Sequence, residues 1–343
     1  MDDINDFLDH GAVIALAEGL LLGWGKPLRL SFDSLHPTAP AFYCPDFFLS
    51  QASPWRQYPQ WDIISSSHLS KLLGEPLKVP RCQWQSGGKE QFQRSFQGLQ
   101  QMLQKGALEK GVPYIFSESS SLMDKERLKM CLKNLLAVTT GHLYGHWSPS
   151  GGVLGVTPET LFNYDFSANK VHTMALAGTS PLNREAFTPK EHHEHAVVVK
   201  GIVEALQPLG QVEVEATTTL SLKLLKHLMT PIQVALESPF HFTSLVERLH
   251  PTPALGAFPK EAGQAWLQEF DRHTPRHFYG APVGCFFGAQ QRAHCFVAIR
   301  NVQWTSSGMR MGAGCGVVAQ SECEKEWEEL TLKTDAIRSQ LGI

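Results

Sequence analysis

The sequence lacks several features that would assign it to a broad class of protein. None of its apolar runs reaches the ~18–20 residues that a transmembrane helix requires, and the most apolar early stretch, residues 12–24, is interrupted by Glu18 and by glycines. Its seven cysteines are odd in number and form no Cys-x-x-Cys pair, which favours a reduced chain over a disulfide scaffold. The formal net charge of −3 gives no general attraction to nucleic acid or to an anionic membrane.

The N-terminus and the composition indicate the setting of the protein. The first ten residues, MDDINDFLDH, are acidic, whereas a signal peptide begins with basic residues. We therefore expect a cytoplasmic protein with no membrane or nucleic-acid partner. Apolar residues make up 43% of the 343 positions, enough for a large core in one large domain or in about two smaller ones.

The order of predicted elements indicates an α+β fold. Prolines punctuate residues 1–80, which favours strands and turns there. Helical periodicity predicts helices near 88–109, 124–139, 189–207, 220–236, 260–270 and 322–341. Strand-like runs lie at 112–116, 152–157, 160–164, 171–176, 282–289, 293–300, 302–304 and 309–318. No repeat or clear linker divides the chain, so we treat residues 1–85 as a strand-rich N-terminal part of the same fold as residues 86–343.

Two of the predicted helices carry glutamates on their apolar faces. At 100° per residue, Glu191, Glu194 and Ile202 fall within an arc of about 80°. The last helix repeats the pattern, because Glu326, Glu329, Lys333 and Ile337 share a similar arc. Buried carboxylates are costly unless they are paired or bind a cation. Two such pairs facing inward would make an all-oxygen pocket, which suits Mg²⁺.

Simpler interpretations of these residues remain open. Thr188 and Glu191 form a capping-box pattern with proline at the first helical position, as do Ser321 and Glu324 without the proline. Glutamates on a helix are also most often solvated. The nearby histidines do not match a zinc-protease pattern, and the glycines at 312–316 do not open a dinucleotide-binding helix. Those glycines better fit a close approach of the backbone to a ligand.

Several segments, taken together and in order, resemble one known family. They are residues 155–162 (GVTPETLF), 175–179 (ALAGT), 190–195 (KEHHEH), 249–254 (LHPTPA), 278–284 (FYGAPVG), 297–300 (VAIR), 312–314 (GAG) and the Glu-x-x-Glu-x-x-x-Lys run at 326–333. The chain from about residue 100 onward thus resembles the chorismate-utilising enzymes, which include isochorismate, salicylate, anthranilate and aminodeoxychorismate synthases. The resemblance implies a large α+β domain of two packed antiparallel sheets with outer helices, and it makes residues 86–343 the chorismate-binding catalytic region.

The resemblance also implies roles for the acidic residues and for two candidate catalysts. Mg²⁺ would be held by Glu194 and Glu329, with Glu191 and Glu326 acting directly or through water. Lys110 would be the base that activates water, and Glu159 the acid that protonates the leaving hydroxyl. Without the resemblance, Lys110 would be interpreted as a solvated lysine at a helix end, and Glu159 as a turn residue after a proline.

The same resemblance implies a set of substrate-binding residues. The ring carboxylate of chorismate would lie near the metal and contact the backbone of Gly178 and Thr179 and the side chain of Lys333. Arg300 would grip the enolpyruvyl carboxylate as a bidentate fork, with Tyr279 and the Gly314 amide completing that end. For His250 two interpretations stand equal: it positions the leaving hydroxyl, or it packs in a proline-rich turn.

Three positions favour isochorismate synthase within the family. Lys110 resembles the water-activating lysine, residue 177 is alanine where aminodeoxychorismate synthase has a nucleophilic lysine, and residues 250–254 match isochorismate synthases. We expect a stand-alone, monomeric enzyme of the menaquinone or siderophore type, without a glutamine amidotransferase subunit. The alternatives are a salicylate synthase and a non-catalytic chorismate-binding homologue. Pro113 after Lys110 and a short loop at 180–189 depart from the family pattern.

Overall fold

The computed structural model describes residues 4–343. Its helices are α1 (Ile4–Asp9), α2 (Ser66–Leu73), α3 (Lys89–Gln104), α4 (Lys125–Leu136), α5 (Pro189–Leu206), α6 (Phe242–Leu249), α7 (Lys260–His273) and α8 (Cys323–Leu341). Within residues 4–343, no helix is long and apolar enough to cross a membrane.

Twenty strands complete the described part of the fold. They are β1 (Gly11–Leu16), β2 (Gly19–Trp24), β3 (Leu28–Leu30), β4 (Ala41–Tyr43), β5 (Trp55–Gln57), β6 (Gln60–Ile64), β7 (Lys110–Gly111), β8 (Tyr114–Ser119), β9 (His142–Ser148), β10 (Gly151–Thr157), β11 (Thr160–Asp165), β12 (Lys170–Pro181), β13 (Gly210–Val214), β14 (Thr218–Ser221), β15 (Leu225–Leu236), β16 (Ala257–Phe258), β17 (Pro282–Phe287), β18 (Arg292–Val297), β19 (Asn301–Thr305) and β20 (Gly308–Gly314).

The strands form two large antiparallel sheets. The first has the order β6-β2-β1-β9-β10-β19-β20-β8, and the second the order β13-β15-β12-β11-β18-β17-β4-β5-β3, with β14 also paired to β15. Strands from the N-terminal 85 residues contribute to both sheets. β7 and β16 form a separate two-stranded ladder.

The two sheets pack face to face and helices cover their outer sides. A buried apolar cluster joins Ile14 and Val153 of the first sheet to Phe42 and Val283 of the second. A second cluster holds α1, α2, α4 and α8 on the first sheet, and a third holds α5 and α6 on the second. The expected α+β fold of two packed antiparallel sheets with outer helices is therefore confirmed.

One predicted helix is wrong. The region 220–236 forms most of β14 and β15 instead, and β15 pairs with β12 along its whole length. Its leucines at 225 and 228 imitate helical spacing, but from Thr230 onward burial alternates residue by residue. Pro231 lacks the N–H that a helix interior needs, and the β-branched residues around it fit a strand.

The two capping predictions have different outcomes. At the start of α5, both hydrogen bonds of the capping box between Thr188 and Glu191 are present. At α8, Glu322 is the N-cap residue and makes no side-chain capping bond. The Ser321 hydroxyl instead accepts a hydrogen bond from the Val318 N–H, so the predicted box with Glu324 is wrong.

Candidate active site

A cavity opens where β12, β20, α5 and α8 meet, and we call it the inner cavity. It brings together seven of the residues named from the sequence. Its lining includes Glu159, Ala177, Thr179, Glu194, His227, Tyr279, Arg300, Gly314 and Lys333. A second depression, the outer cleft, shares Thr179 with it and is lined by Lys190, Glu191, Glu326 and Glu329 among others.

Glu159 is a buried carboxyl group at the turn between β10 and β11. It is 3% exposed, and burial raises its pKa from the ordinary value to about 7, although Lys110 and the Thr252 hydroxyl act in the opposite direction. The Thr252 hydroxyl donates a hydrogen bond to Glu159 Oε1 at 3.5 Å. A carboxylic acid that keeps its proton near neutral pH can serve as a general acid.

Lys110 is buried rather than solvated. Its side chain is 1% exposed, and Nζ lies 3.3 Å from Glu194 Oε1. Burial lowers the pKa of Lys110, while Glu194 opposes that change. Pro113 does not disturb this position, because it lies between β7 and β8, and its carbonyl accepts a hydrogen bond from the Cys315 N–H.

The glycines at 312–316 make room for side chains of the protein itself. A Cβ on Gly316 would lie 1.9 Å from Glu194 Oε1 and 2.7 Å from Lys110 Cε. A Cβ on Gly312 would lie 2.6 Å from the ring of Tyr279. The close approach expected from the sequence is therefore present, and it admits the residues that build the site.

Arg300 and Tyr279 form a cationic and hydroxylic end of the inner cavity. Arg300 has a positive φ of 55°, which is rare outside glycine and turns this side chain away from the direction of a regular strand. Burial lowers the pKa of its guanidinium to about 10, so it is charged at neutral pH. Across the described residues, Arg300 makes no ion pair with a carboxylate within 4.0 Å, and Tyr279 is 4% exposed.

His227 is a site residue that sequence reasoning missed. Its Nε2 lies 2.8 Å from Arg300 Nη2, and its Nδ1 lies 3.1 Å from the Thr179 hydroxyl. Burial, with help from Arg300, holds the pKa of His227 well below the usual range. Since a guanidinium only donates, Nε2 must accept, and the ring proton lies on Nδ1. The sequence signal for it is one polar residue within a mostly apolar segment whose leucine spacing predicts a helix.

Gly178 shapes the edge of the cavity from behind. It has a φ of +70° and interrupts the register between β12 and β15. A Cβ at this position would lie 2.7 Å from the Glu191 carbonyl oxygen. The absence of a side chain therefore lets β12 approach the first turn of α5 and directs Thr179 toward the cavity.

The structure does not bring His250 to the inner cavity. Its Nε2 donates to the Phe47 carbonyl oxygen at 2.6 Å, its ring packs edge-on against Phe47, and burial lowers its pKa to about 3. Of the two interpretations, the structure shows the packed histidine, and the expectation that His250 binds substrate is corrected accordingly. Ala254 and Leu255, a few residues further on, line the cavity instead.

Three of the four predicted metal-binding glutamates converge, and a lysine lies between them. Lys190 Nζ is 2.7 Å from Glu326 Oε1 and 3.3 Å from Glu194 Oε2. Glu329 pairs with Lys333 at 2.7 Å, and its charge also raises the pKa of Lys190. Glu191 is turned toward the Thr188 N–H and toward Arg184, which lies 3.5 Å away.

The donor set fits a hard divalent cation, but Lys190 Nζ now lies between two of the carboxyl groups that would bind it. Over residues 4–343, no three carboxylate, imidazole or thiolate side chains are already placed at metal-binding distances. However, Glu326 Oε2 is buried and has no hydrogen-bond partner among the described residues. Carboxylate oxygens are the ligands that Mg²⁺ prefers, so the residues fit the ion if the Lys190 ammonium leaves the position between them.

The family described as "Chorismate binding enzyme" matches residues 78–342. The chain therefore belongs to the chorismate-binding enzymes, as its sequence motifs indicated.

Among curated relatives, the salicylate biosynthesis isochorismate synthase of Pseudomonas aeruginosa is 34% identical over 203 residues. Isochorismate synthase MenF of Bacillus subtilis is 36% identical over 202 residues. Each match covers 55% of this chain and 42% of the relative. Among solved structures, MenF, the menaquinone-specific isochorismate synthase of Escherichia coli, has a TM-score of 0.78 at 18% identity, covering 99% of this chain and 91% of that one. This last likeness establishes the fold.

Proposed function

We propose that the protein is an isochorismate synthase that converts chorismate to isochorismate and depends on Mg²⁺. The observation that carries the proposal is one cavity wall that contains Glu159, whose pKa burial raises to about 7, and Arg300, which contacts no carboxylate among residues 4–343. The buried Lys110 lies directly behind Glu194 of the same wall. The names of the curated relatives support the same activity. Ala177 supports it further, because it places no nucleophilic side chain on the cavity wall.

The reaction adds water at C2 of chorismate and expels the C4 hydroxyl, with a shift of the ring double bond. Lys110, with its pKa lowered by burial, takes a proton from the attacking water. Glu159, with a pKa of about 7, gives a proton to the departing C4 oxygen, which leaves as water. One proton is taken and one is given, so the substrate and product are isomers.

The two carboxylates of chorismate would bind at opposite ends of the inner cavity. Arg300 and the Tyr279 hydroxyl would hold the enolpyruvyl carboxylate, with the Gly314 backbone beside them. His227 accepts from Arg300 and donates to Thr179, so the Thr179 hydroxyl keeps its own proton for the ring carboxylate. The Lys333 ammonium group, which donates to the Gly314 carbonyl oxygen at 2.8 Å, is a further cation on the wall of this cavity.

Glu194, Glu326 and Glu329 would hold the Mg²⁺, and Glu191 would contribute through water if it turned away from its cap. The bound ion would neutralise and orient the ring carboxylate.

Four further expectations stay predictions from the sequence. They are a siderophore or a menaquinone role, a monomeric state, independence from an amidotransferase and a cytoplasmic location.

One assay tests the proposal directly. Purified protein is incubated with chorismate and Mg²⁺, without ammonia, and the products are separated by chromatography. We expect isochorismate, and we expect its formation to stop when EDTA removes the metal. Salicylate with pyruvate would instead indicate a salicylate synthase, and saturable chorismate binding without turnover would indicate a non-catalytic homologue; either result would overturn the proposal.

A further inference from the structure

Lys190 occupies a position that the catalytic proposal leaves unexplained. It is the second residue of α5, and its side chain extends along that helix to the neighbouring α8. Nζ bridges Glu194 of its own helix and Glu326 of α8 at 3.3 Å and 2.7 Å. The side chain is 17% exposed, so it reaches the outer cleft as well as the buried carboxylates.

The carboxyl groups around Lys190 already have lysine side chains beside them without any metal. Three carboxyl groups (Glu194, Glu326 and Glu329) face the amino groups of three lysines: Lys110 Nζ lies 3.3 Å from Glu194, Lys333 Nζ lies 2.7 Å from Glu329, and Lys190 bridges Glu194 and Glu326. A lysine amino group beside each carboxyl group lowers the cost of burying these groups together, although burial and the nearby Glu329 still raise the pKa of Glu326 to about 7. A divalent ion entering the cluster therefore meets a site that already contains the Lys190 ammonium group.

Lys190 and a metal ion cannot use the same oxygens together. The ammonium takes Glu326 Oε1, which leaves Glu326 Oε2 as the buried oxygen without a partner. An ion that used both Glu194 and Glu326 would have to lie where Nζ now lies, because Nζ is the atom that spans these two carboxylates. The lysine stem is flexible, and the outer cleft offers it Glu322 and Glu328 after displacement.

We propose that Lys190 is an internal counter-cation that Mg²⁺ must displace, so that this one residue sets the affinity of the protein for its metal. In the metal-free protein it holds α5 and α8 together by bridging their carboxylates. In the metal-bound protein it swings into the outer cleft. The inference rests on the proposed function only in taking the ion to be Mg²⁺ at these glutamates.

The test measures metal binding rather than turnover. Mg²⁺ is titrated calorimetrically into metal-free protein, without chorismate, for the wild type, Lys190→Met and Lys190→Arg. Lys325→Met serves as the matched control, because it removes the same charge from the exposed Lys325 of the outer cleft. We expect Lys190→Met to bind Mg²⁺ about tenfold more tightly than the wild type, and Lys190→Arg and Lys325→Met to stay near the wild-type value.

Thermal unfolding supplies a second readout and guards against a misfolded variant. In EDTA, Lys190→Met should melt at a lower temperature than the wild type, because three carboxylates lose a counter-cation, and Mg²⁺ should raise its melting temperature by more than it raises that of the wild type. Equal or weaker Mg²⁺ binding by Lys190→Met would overturn the inference. If the wild type nevertheless converts chorismate in a Mg²⁺-dependent way, the proposed function survives that result. If no variant binds Mg²⁺ and chorismate is not converted, both fail.

Discussion

The inner cavity and the neighbouring group of buried carboxylates differ in whether their charged side chains already have partners of opposite charge. In the inner cavity, Arg300 contacts no carboxylate among residues 4–343, and burial raises the pKa of Glu159 to about 7, so a large fraction of this carboxyl group keeps its proton at neutral pH. In the carboxylate cluster formed by Glu194, Glu326 and Glu329, each carboxyl group has a lysine amino group beside it. On the proposed function, the first region would bind an anion, whereas the second would exchange the Lys190 ammonium group for a metal ion. A binding site can therefore be preorganised at one end and self-neutralised at the other.

The largest effect expected from this comparison is at Lys110, which lies behind Glu194 where the two regions meet. Lys110→Met removes the proposed base while keeping most of the side-chain volume, and we expect chorismate turnover to fall by about 10³-fold. Chorismate binding, measured by calorimetry, should persist because Lys110 is not among the residues proposed to hold the carboxylates of chorismate. Lys105→Met, at the exposed end of α3, is the matched control and should retain full turnover. A Lys110→Met enzyme with an undiminished rate would refute the role of Lys110 as base.

The next effect concerns the cost of keeping Glu159 in the inner cavity. Its pKa is raised from 4.5 in the unfolded chain to about 7 in the folded protein. The folded state therefore binds more protons between these values, and Glu159 makes the protein less stable as the pH rises from about 4.5 to 7. Turnover should also decline above pH 7, because the acid loses its proton.

Glu159→Gln removes that pH-dependent cost. Relative to the wild type, the variant should gain on the order of 3 kcal/mol in free energy of unfolding between pH 5 and pH 8, while turnover falls sharply. Urea denaturation at the two pH values measures the difference. Glu237→Gln, at an exposed position, tests whether the loss of any one carboxylate suffices. A gap between Glu159→Gln and wild type that does not change with pH would show that Glu159 is ionised throughout.

Local periodicity explains which parts of the site could be predicted from the sequence. Glu194 and Glu326 were found because a helix places residues three or four apart on one face, and this property does not depend on the rest of the fold. The bridging position of Lys190 could not be found in this way, because it depends on how closely α5 approaches α8. His227 was missed because the spacing of its neighbours imitated a helix, and only the pairing of β15 with β12 shows that it faces Thr179.

The contrast between His250 and His227 has the same physical origin. Both are buried histidines, and a sequence does not say which of them faces a cavity. The Phe47 carbonyl, about 200 residues away in the chain, decides the orientation of His250, and Arg300 decides that of His227. Long-range partners of this kind are fixed by the packing of the sheets and not by any local pattern.

The smallest effect is expected at His227. Two variants separate its hydrogen bond with Arg300 from its hydrogen bond with Thr179. In His227→Gln, the side-chain oxygen can take the place of Nε2 and accept from Arg300, but the donor to Thr179 is lost. In His227→Asn, the amide nitrogen can take the place of Nδ1 and donate to Thr179, but the acceptor for Arg300 is lost. We expect each variant to raise the KM for chorismate by about tenfold, because each loses one hydrogen bond that orients a binding group.

Arg300→Lys should add little to His227→Asn, since that variant has already released Arg300, whereas it should add its full effect to His227→Gln. Measured KM values for the three single and two double variants check this, and full additivity in both backgrounds would show that His227 does not act through Arg300.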